Sequence, residues 1–274
     1  MEFTKEEKEI FSTMQALYES GLPISFKGSM VLKAFLAETG YKDRIRSTAD
    51  FDGNWFSEKS PSAETIAESV QKALSSKNID LSVSVFRMYG DKKSLGLNFI
   101  EKKFNSVAFT MDMDVNRGVP NTKMYEIDGF KFRGVTPNQM ITDKVAVVSS
   151  DKVFRRVKDL IDLYYISCVF DFDYDKIKYL AEKTDRVIGN FDGFINRQED
   201  LEHAYNKFKF DEGIHKAPFT EVHQAVYEYL LPVIKEHSIS ISEEKKTLNK
   251  KIEEKTEKLD STVNCNGKQT VQER

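Results

Sequence analysis

Apolar side chains alternate through residues 80–115 and recur at helical spacing from residue 136 onward, and that change of period divides the chain. The runs "LSVSVFRMY", "SLGLNFI" and "NSVAFTMDMDV" predict two or three strands, and "MYEIDGFKFRGV" predicts a hairpin turning at Asp128-Gly129. Thr136-Pro137-Asn138-Gln139 then opens a helix, with proline at the first helical position and glutamine at the capping-box position. Segments 150–169, 174–188, 197–209 and 218–236 follow as candidate helices. The pattern predicts an α+β fold: a domain with a mixed or antiparallel sheet over residues 1–135, then a helical domain over 136–237. The charged remainder, 238–274, reads as an exposed helix with i,i+4 Glu–Lys pairs or as disordered chain.

The region before the alternation is mixed. Thr4 and Glu7 form a capping box for a helix whose apolar face is Ile10, Phe11, Met14, Leu17 and Tyr18. The strand "PISF" runs into "KGSM", "MVLKAFLAETG" reads as a helix, and "ADFDGNWF" reads as a strand. Ser60-Pro61 starts a further helix that runs to about Ser76.

Composition removes several classes of function. The 274 residues suffice for two domains, but a net charge of −3 gives no global basic field for nucleic acid, so such contacts would have to be local. Two cysteines, Cys168 in an apolar helical run and Cys265 in the polar tail, suggest neither a disulfide framework nor a zinc site. The four histidines, His203, His215, His223 and His237, lack metal-ligand spacing and read as helix-surface or loop residues. The N-terminus has no apolar signal core and no run reaches membrane-helix length, which reads as a cytoplasmic protein.

Chemistry concentrates in four stretches. In "RSTADFD", Asp50 and Asp52 fall on one face of a strand and Phe51 on the other. Two like charges so placed suit a hard divalent cation, which binds one or two carboxylates and completes its shell with water and phosphate oxygens. The same stretch also contains turn formers, Asp52, Gly53 and Asn54, and a solvated turn is the alternative. In "FKGSM", Gly28 and Ser29 lie where a strand ends and a helix begins, a place where unpaired N–H groups bind anions, although Gly-Ser is also a common cap. In "FTMDMDV", Asp112 and Asp114 share a strand face and could add a third metal-binding carboxylate, or simply solubilise an edge strand. In residues 142–166, the buried face is expected to run through Val153, Val157, Leu160, Ile161, Tyr164 and Cys168. Arg155, Asp159 and Asp162 fall on another face, either as a surface ion ladder or, with Lys144, reaching back toward the strand carboxylates.

Taken in order, "KGS", "RSTADFD", Asp-x-Asp, "TP" followed by Asp143-Lys144, and "RRVKDLIDL" resemble the AbiEii-type nucleotidyltransferases. These are toxin components of abortive-infection toxin–antitoxin pairs within the polymerase-β-like superfamily, and they include the MenT-type toxins. The resemblance spans residues 27 to about 166. It implies a polymerase-β-like nucleotidyltransferase core in the N-terminal domain. It places the triphosphate at Gly28 and Ser29, Mg²⁺ (Mn²⁺ as the alternative) at Asp50 and Asp52, and a phosphate-contacting catalytic lysine at Lys144. The acidic positions of the last motif fall on Asp159 and Asp162, the third-strand carboxylate on Asp114 with Asp112 close behind, and an arginine before Asp-x-Asp on Arg46. The turn reads Lys-Gly-Ser where many members have Gly-Gly. The implied substrates are a nucleoside triphosphate and an RNA acceptor, often the tRNA 3′ end, with growth arrest as output and a cognate antitoxin as partner. Lys27, Lys33, Lys42, Arg44, Arg46, Arg155 and Arg156 are the candidate RNA contacts. Transfer to a protein or small-molecule acceptor, or nucleotide binding without turnover, are the rivals.

Overall fold

A computed structural model describes residues 3–41, 43, 45–57, 60–89 and 93–236. Lys42, Arg44 and the tail over 238–274 lie outside the described residues. Helix α1 (Lys5–Glu19) carries the expected capping box, since Thr4 Oγ1 accepts from Glu7 N and Glu7 Oε2 accepts from Thr4 N. Strand β1 (Ile24–Lys27) leads directly into α2 (Gly28–Glu38), and β2 (Asp50–Trp55) and α3 (Ala63–Ser76) follow. The alternating region forms three strands, β3 (Leu81–Tyr89), β4 (Ser94–Glu101) and β5 (Ser106–Asp114). The hairpin is β6 (Thr122–Ile127) and β7 (Phe130–Val135), with Asp128 and Gly129 both at positive φ, 47° and 81°, as a type I′ turn requires.

The strands join in the order β3-β4-β5-β2-β1-β7-β6. Strand β2 is parallel to β5, and β1 to β7, while the other neighbours are antiparallel, so the sheet is mixed. One face is a core in which Phe51 meets Phe26, Phe99 and Phe109 with ring centroids at 6.0, 5.4 and 5.9 Å. The opposite face carries Lys27, Asp52, Asp112, Gly96 and Arg87 in successive register across β1, β2, β5, β4 and β3.

The helical part begins with α4 (Pro137–Val148), capped by Thr136. The expected helix over 150–169 is split. A 3-10 turn, Val153–Arg156, precedes α5 (Val157–Ser167), which packs against α2, α4 and α8 (Gln198–Lys207). Being enclosed on several sides, α5 buries Asp159, Asp162, Leu163, Tyr165 and Ile166 as well as Leu160 and Ile161. Cys168 falls past its end and is exposed, contrary to the expected face. Between lie α6 (Tyr174–Lys183), shorter than expected, and α7 (Asp192–Asn196), which the periodicity did not predict. A last helix begins at Phe219. His223 on it is buried rather than superficial, because its ring stacks on Phe194 at 4.5 Å and its Nε2 lies 3.1 Å from the Phe194 carbonyl oxygen. Residues up to Tyr229 form one compact unit, and in a second unit from Leu230 the described residues, 230–236, are helical. Among the described residues no helix is long and apolar enough to cross a membrane.

Candidate active site

Gly28, Ser29, Arg46, Asp50, Asp52, Asp112, Asp114, Lys144, Asp159 and Asp162 all line one cleft of about 450 Å³. That volume lies within the roughly 300–1,000 Å³ typical of small-molecule sites. Its floor is the polar face of β2 and β5, where Asp52 is registered between Lys27 and Asp112. Its other wall comes from α4, α5 and the loop after α6.

Gly28 turns the chain into α2 at φ +72°, and a Cβ there would lie 2.1 Å from Asp52 Oδ2. Glycine is therefore required on both counts, by the left-handed backbone and by the approach of the carboxylate. Helix α2 has no side-chain cap. Ser29 Oγ accepts a 2.6 Å hydrogen bond from Arg46 Nη2, which leaves the serine O–H to donate.

Beneath this turn lies a cluster of buried charges. Asp162, 1% exposed, accepts from Arg46 Nε at 3.1 Å, Arg46 Nη2 at 3.0 Å and Lys144 Nζ at 2.6 Å. Lys144 also reaches Asp159 at 3.3 Å, and Asp159 accepts from Arg156 at 3.0 Å. Burial pushes Lys144 down, but Asp162 and Asp159 outweigh it and hold the ammonium above its ordinary range. Burial likewise pushes Asp162 up, and Arg46 with Lys144 overturns this, leaving the carboxyl well below the usual carboxylate range. Asp159 and Asp162 are thus interior partners of Arg46 and Lys144, not a surface ladder.

Two of the basic residues expected to face RNA are interior instead. Lys33, 2% exposed, pairs with Glu7 at 2.8 Å, so the carboxylate that caps α1 also neutralises α2. Arg46, 7% exposed, is committed to Asp162 and Ser29. Arg155 and Arg156 are exposed.

The strand carboxylates divide into two kinds. Asp112 accepts two bonds from Arg87, at 2.7 and 2.6 Å, across Gly96, where a Cβ would meet the Arg87 side chain at 2.7 Å. Asp114 takes Lys27 at 2.5 Å, Arg186 at 3.3 Å and Arg117 at 3.4 Å. Asp50, by contrast, accepts from the Thr48 hydroxyl, and among the described residues Asp52 makes no ion pair. No group of three or more His, Cys, Asp or Glu residues gathers as a metal cage among the described residues. Asp50 and Asp52 fit a hard divalent cation as a two-carboxylate donor set, with Gly28 leaving room beside them. Asp112 and Asp114 already have cationic partners. Asp143 and Lys158, which lie within the Asp-Lys and "RRVKDLIDL" stretches but were assigned no role from the sequence, also line the cleft, as does Arg186, which carried no motif and which only the fold brings there.

Burial pushes the Asp52 carboxyl up to about 6, with Lys27 opposing and Asp50 adding to the rise. A folded value above the unfolded one means that folding takes up a proton between these values. Stability relative to an uncharged side chain is then retained below about pH 4 and lost as the pH rises through 6. Asp52→Asn is accordingly expected to stabilise the metal-free protein by about 1–3 kcal/mol at pH 8 and by nothing near pH 4. Urea unfolding at the two pH values checks this, and an equal effect at both would refute it.

No protein-family model matches the chain, and no curated protein matches it. Among solved structures, the chain is similar to an antigenic nucleotidyltransferase-like protein from Paracoccidioides brasiliensis, at 11% identity and TM-score 0.42, over 77% of this chain and 96% of that one. It is also similar to MenT4, a nucleotidyltransferase toxin from Mycobacterium tuberculosis H37Rv, at 12% identity and TM-score 0.46, over 81% of each chain.

Proposed function

We propose that the protein is a nucleotidyltransferase that moves a nucleoside monophosphate from a nucleoside triphosphate to a hydroxyl of RNA, at the tRNA 3′ end. One observation carries the reading: three distant segments meet in a single cleft, the uncapped Gly28-Ser29 helix start, the Asp50/Asp52 strand and buried, charged Lys144. In this reading the first N–H groups of α2 and the Ser29 hydroxyl donate to the β- and γ-phosphates. Lys144, held by Asp162 and Asp159, directs positive charge at the same phosphates without having to be desolvated during the reaction. Asp50 and Asp52 would hold Mg²⁺, which would supply positive charge to stabilise the transferring nucleotidyl group at its α-phosphate. The acceptor hydroxyl attacks the α-phosphorus in line, pyrophosphate leaves, and the proton passes to Asp112, which lies beside Asp52 in the sheet and is partly open to solvent. Positioning and electrostatics supply most of the rate. The setting is a cytoplasmic toxin–antitoxin or phage-defence system in which a cognate antitoxin restrains growth arrest.

The test uses each of the four α-labelled nucleoside triphosphates with Mg²⁺ and total tRNA, beside an Asp50→Ala/Asp52→Ala variant. Label in tRNA from the wild type alone is the expected result. Label on protein instead would keep the chemistry and replace the acceptor. Bound nucleotide without any transfer would replace the transferase by a binding module.

A further inference from the structure

Arg186 reaches the cleft through a helix ending and not through a motif. Helix α6 stops at Lys183 with Thr184 as its C-cap, and Asp185 follows in the left-handed region at φ 54°. Arg186 N then donates to Ala181 O at 2.9 Å, the six-to-one bond of a Schellman ending. Both sides of this turn are pinned. Gly118 packs so closely on it that a Cβ would lie 2.7 Å from the Lys183 carbonyl oxygen, and a Cβ on Gly189 would lie 2.4 Å from that of Ser149. Gly189 N also donates to Ser149 Oγ at 2.8 Å. The arginine is thus presented by a rigid loop.

Its guanidinium spans the cleft. Nε donates to Asp143 on α4 at 2.8 Å and Nη2 to Asp114 on β5 at 3.3 Å, while Nη1 makes no hydrogen bond to a described residue. Asp114 is meanwhile also met by Lys27 and Arg117. Lys27, Arg117 and Arg186 thus converge on Asp114, with Arg186 also tied to Asp143, where the strand wall and the helical wall approach each other. A planar fork with spare donors at such a place suits a polyphosphate, whose oxygens can replace the carboxylates as acceptors.

We propose that Arg186 is a phosphate-contacting residue that binds the triphosphate of the nucleotide from the helical side of the cleft. The inference rests on reading the cleft as a nucleotide site. It is tested with full-length protein and Mg²⁺ by measuring the affinity of the four nucleoside triphosphates and their monophosphates for wild type, Arg186→Gln and Arg186→Lys. Loss of a charge-assisted bond predicts triphosphate affinity lowered about 10–100-fold in Arg186→Gln, with monophosphate affinity unchanged. Arg186→Lys recovers part of the loss, and it carries the same comparison if the glutamine variant does not fold. Unchanged triphosphate affinity in a folded variant, or equal losses for both classes of nucleotide, overturns the inference and leaves the transferase reading standing. A wild type that binds no triphosphate overturns both.

Discussion

Asp162→Ala is expected to lower the free energy of unfolding by about 3–5 kcal/mol, more than any other substitution in the cleft, because it breaks a buried ion cluster by removing one member. Arg46, Lys144, Asp159 and Asp162 are all at most 7% exposed and together are formally neutral. Without the Asp162 carboxylate, two buried cations are left with Asp159 and, for Arg46, the field of Asp50, and Arg46 loses both of its bonds to Asp162. Burial costs each ion several kcal/mol that only its partners offset. The pH dependence has a definite sign. Since the folded carboxyl lies well below its ordinary range, its contribution is complete above about pH 4 and is lost only as the pH falls through the depressed folded value. Asp162→Asn keeps the shape and loses the charge. It should cut label transfer at least about 100-fold by freeing Lys144 and the Arg46–Ser29 contact from their fixed positions. Urea unfolding at pH 7 gives the first quantity and single-turnover transfer the second. A stability loss under about 1 kcal/mol would mean that the cluster is solvated and that Asp162 does not organise the site.

What the sequence made legible was local. The Thr4–Glu7 box, the Thr136 cap, the Asp128-Gly129 turn and the opposed faces of Asp50/Asp52 and Phe51 each follow from spacing of a few residues, and each is present. What it hid was non-local. Asp112 stands beside Asp52 only because β2 and β5 pair in parallel, and no feature of either strand specifies that partner. Arg155, Asp159 and Asp162 have the spacing of an exposed ladder. Yet Asp159 and Asp162 are interior because α5 is enclosed by other elements, and a 3-10 turn interrupts the helix that the spacing assumed. Lys33 looked like one of several cationic candidates, and only its burial against Glu7 removes it from the surface. Arg186 had no signal at all, since its place depends on two loops packing with almost no space for a side chain.

Gly28→Ala should separate the stability of the turn from its chemistry. Two costs are combined at this position. The backbone at φ +72° penalises any Cβ by about 1–2 kcal/mol. The added methyl would also fall 2.1 Å from Asp52 Oδ2 and 3.0 Å from its Cγ, so the carboxylate must rotate away. Gly21 supplies an internal control, having the same φ of +72° with nothing within 4 Å of the added atom. Gly21→Ala is therefore expected to show the backbone penalty alone and to leave transfer unchanged. Gly28→Ala should lose somewhat more stability than Gly21→Ala, because the Asp52 carboxylate must also rotate away, and should lose transfer by about 100-fold or more, because a displacement of about 1 Å at the reacting centre is that costly. A double-mutant cycle then identifies the cause. In an Asp52→Ala background the clash is gone, so the stability cost of Gly28→Ala should fall to that of Gly21→Ala. If Gly28→Ala retains full transfer, the close approach of Asp52 to the helix start is not what positions the Asp50/Asp52 pair, and the site must be organised from the Lys144 side instead.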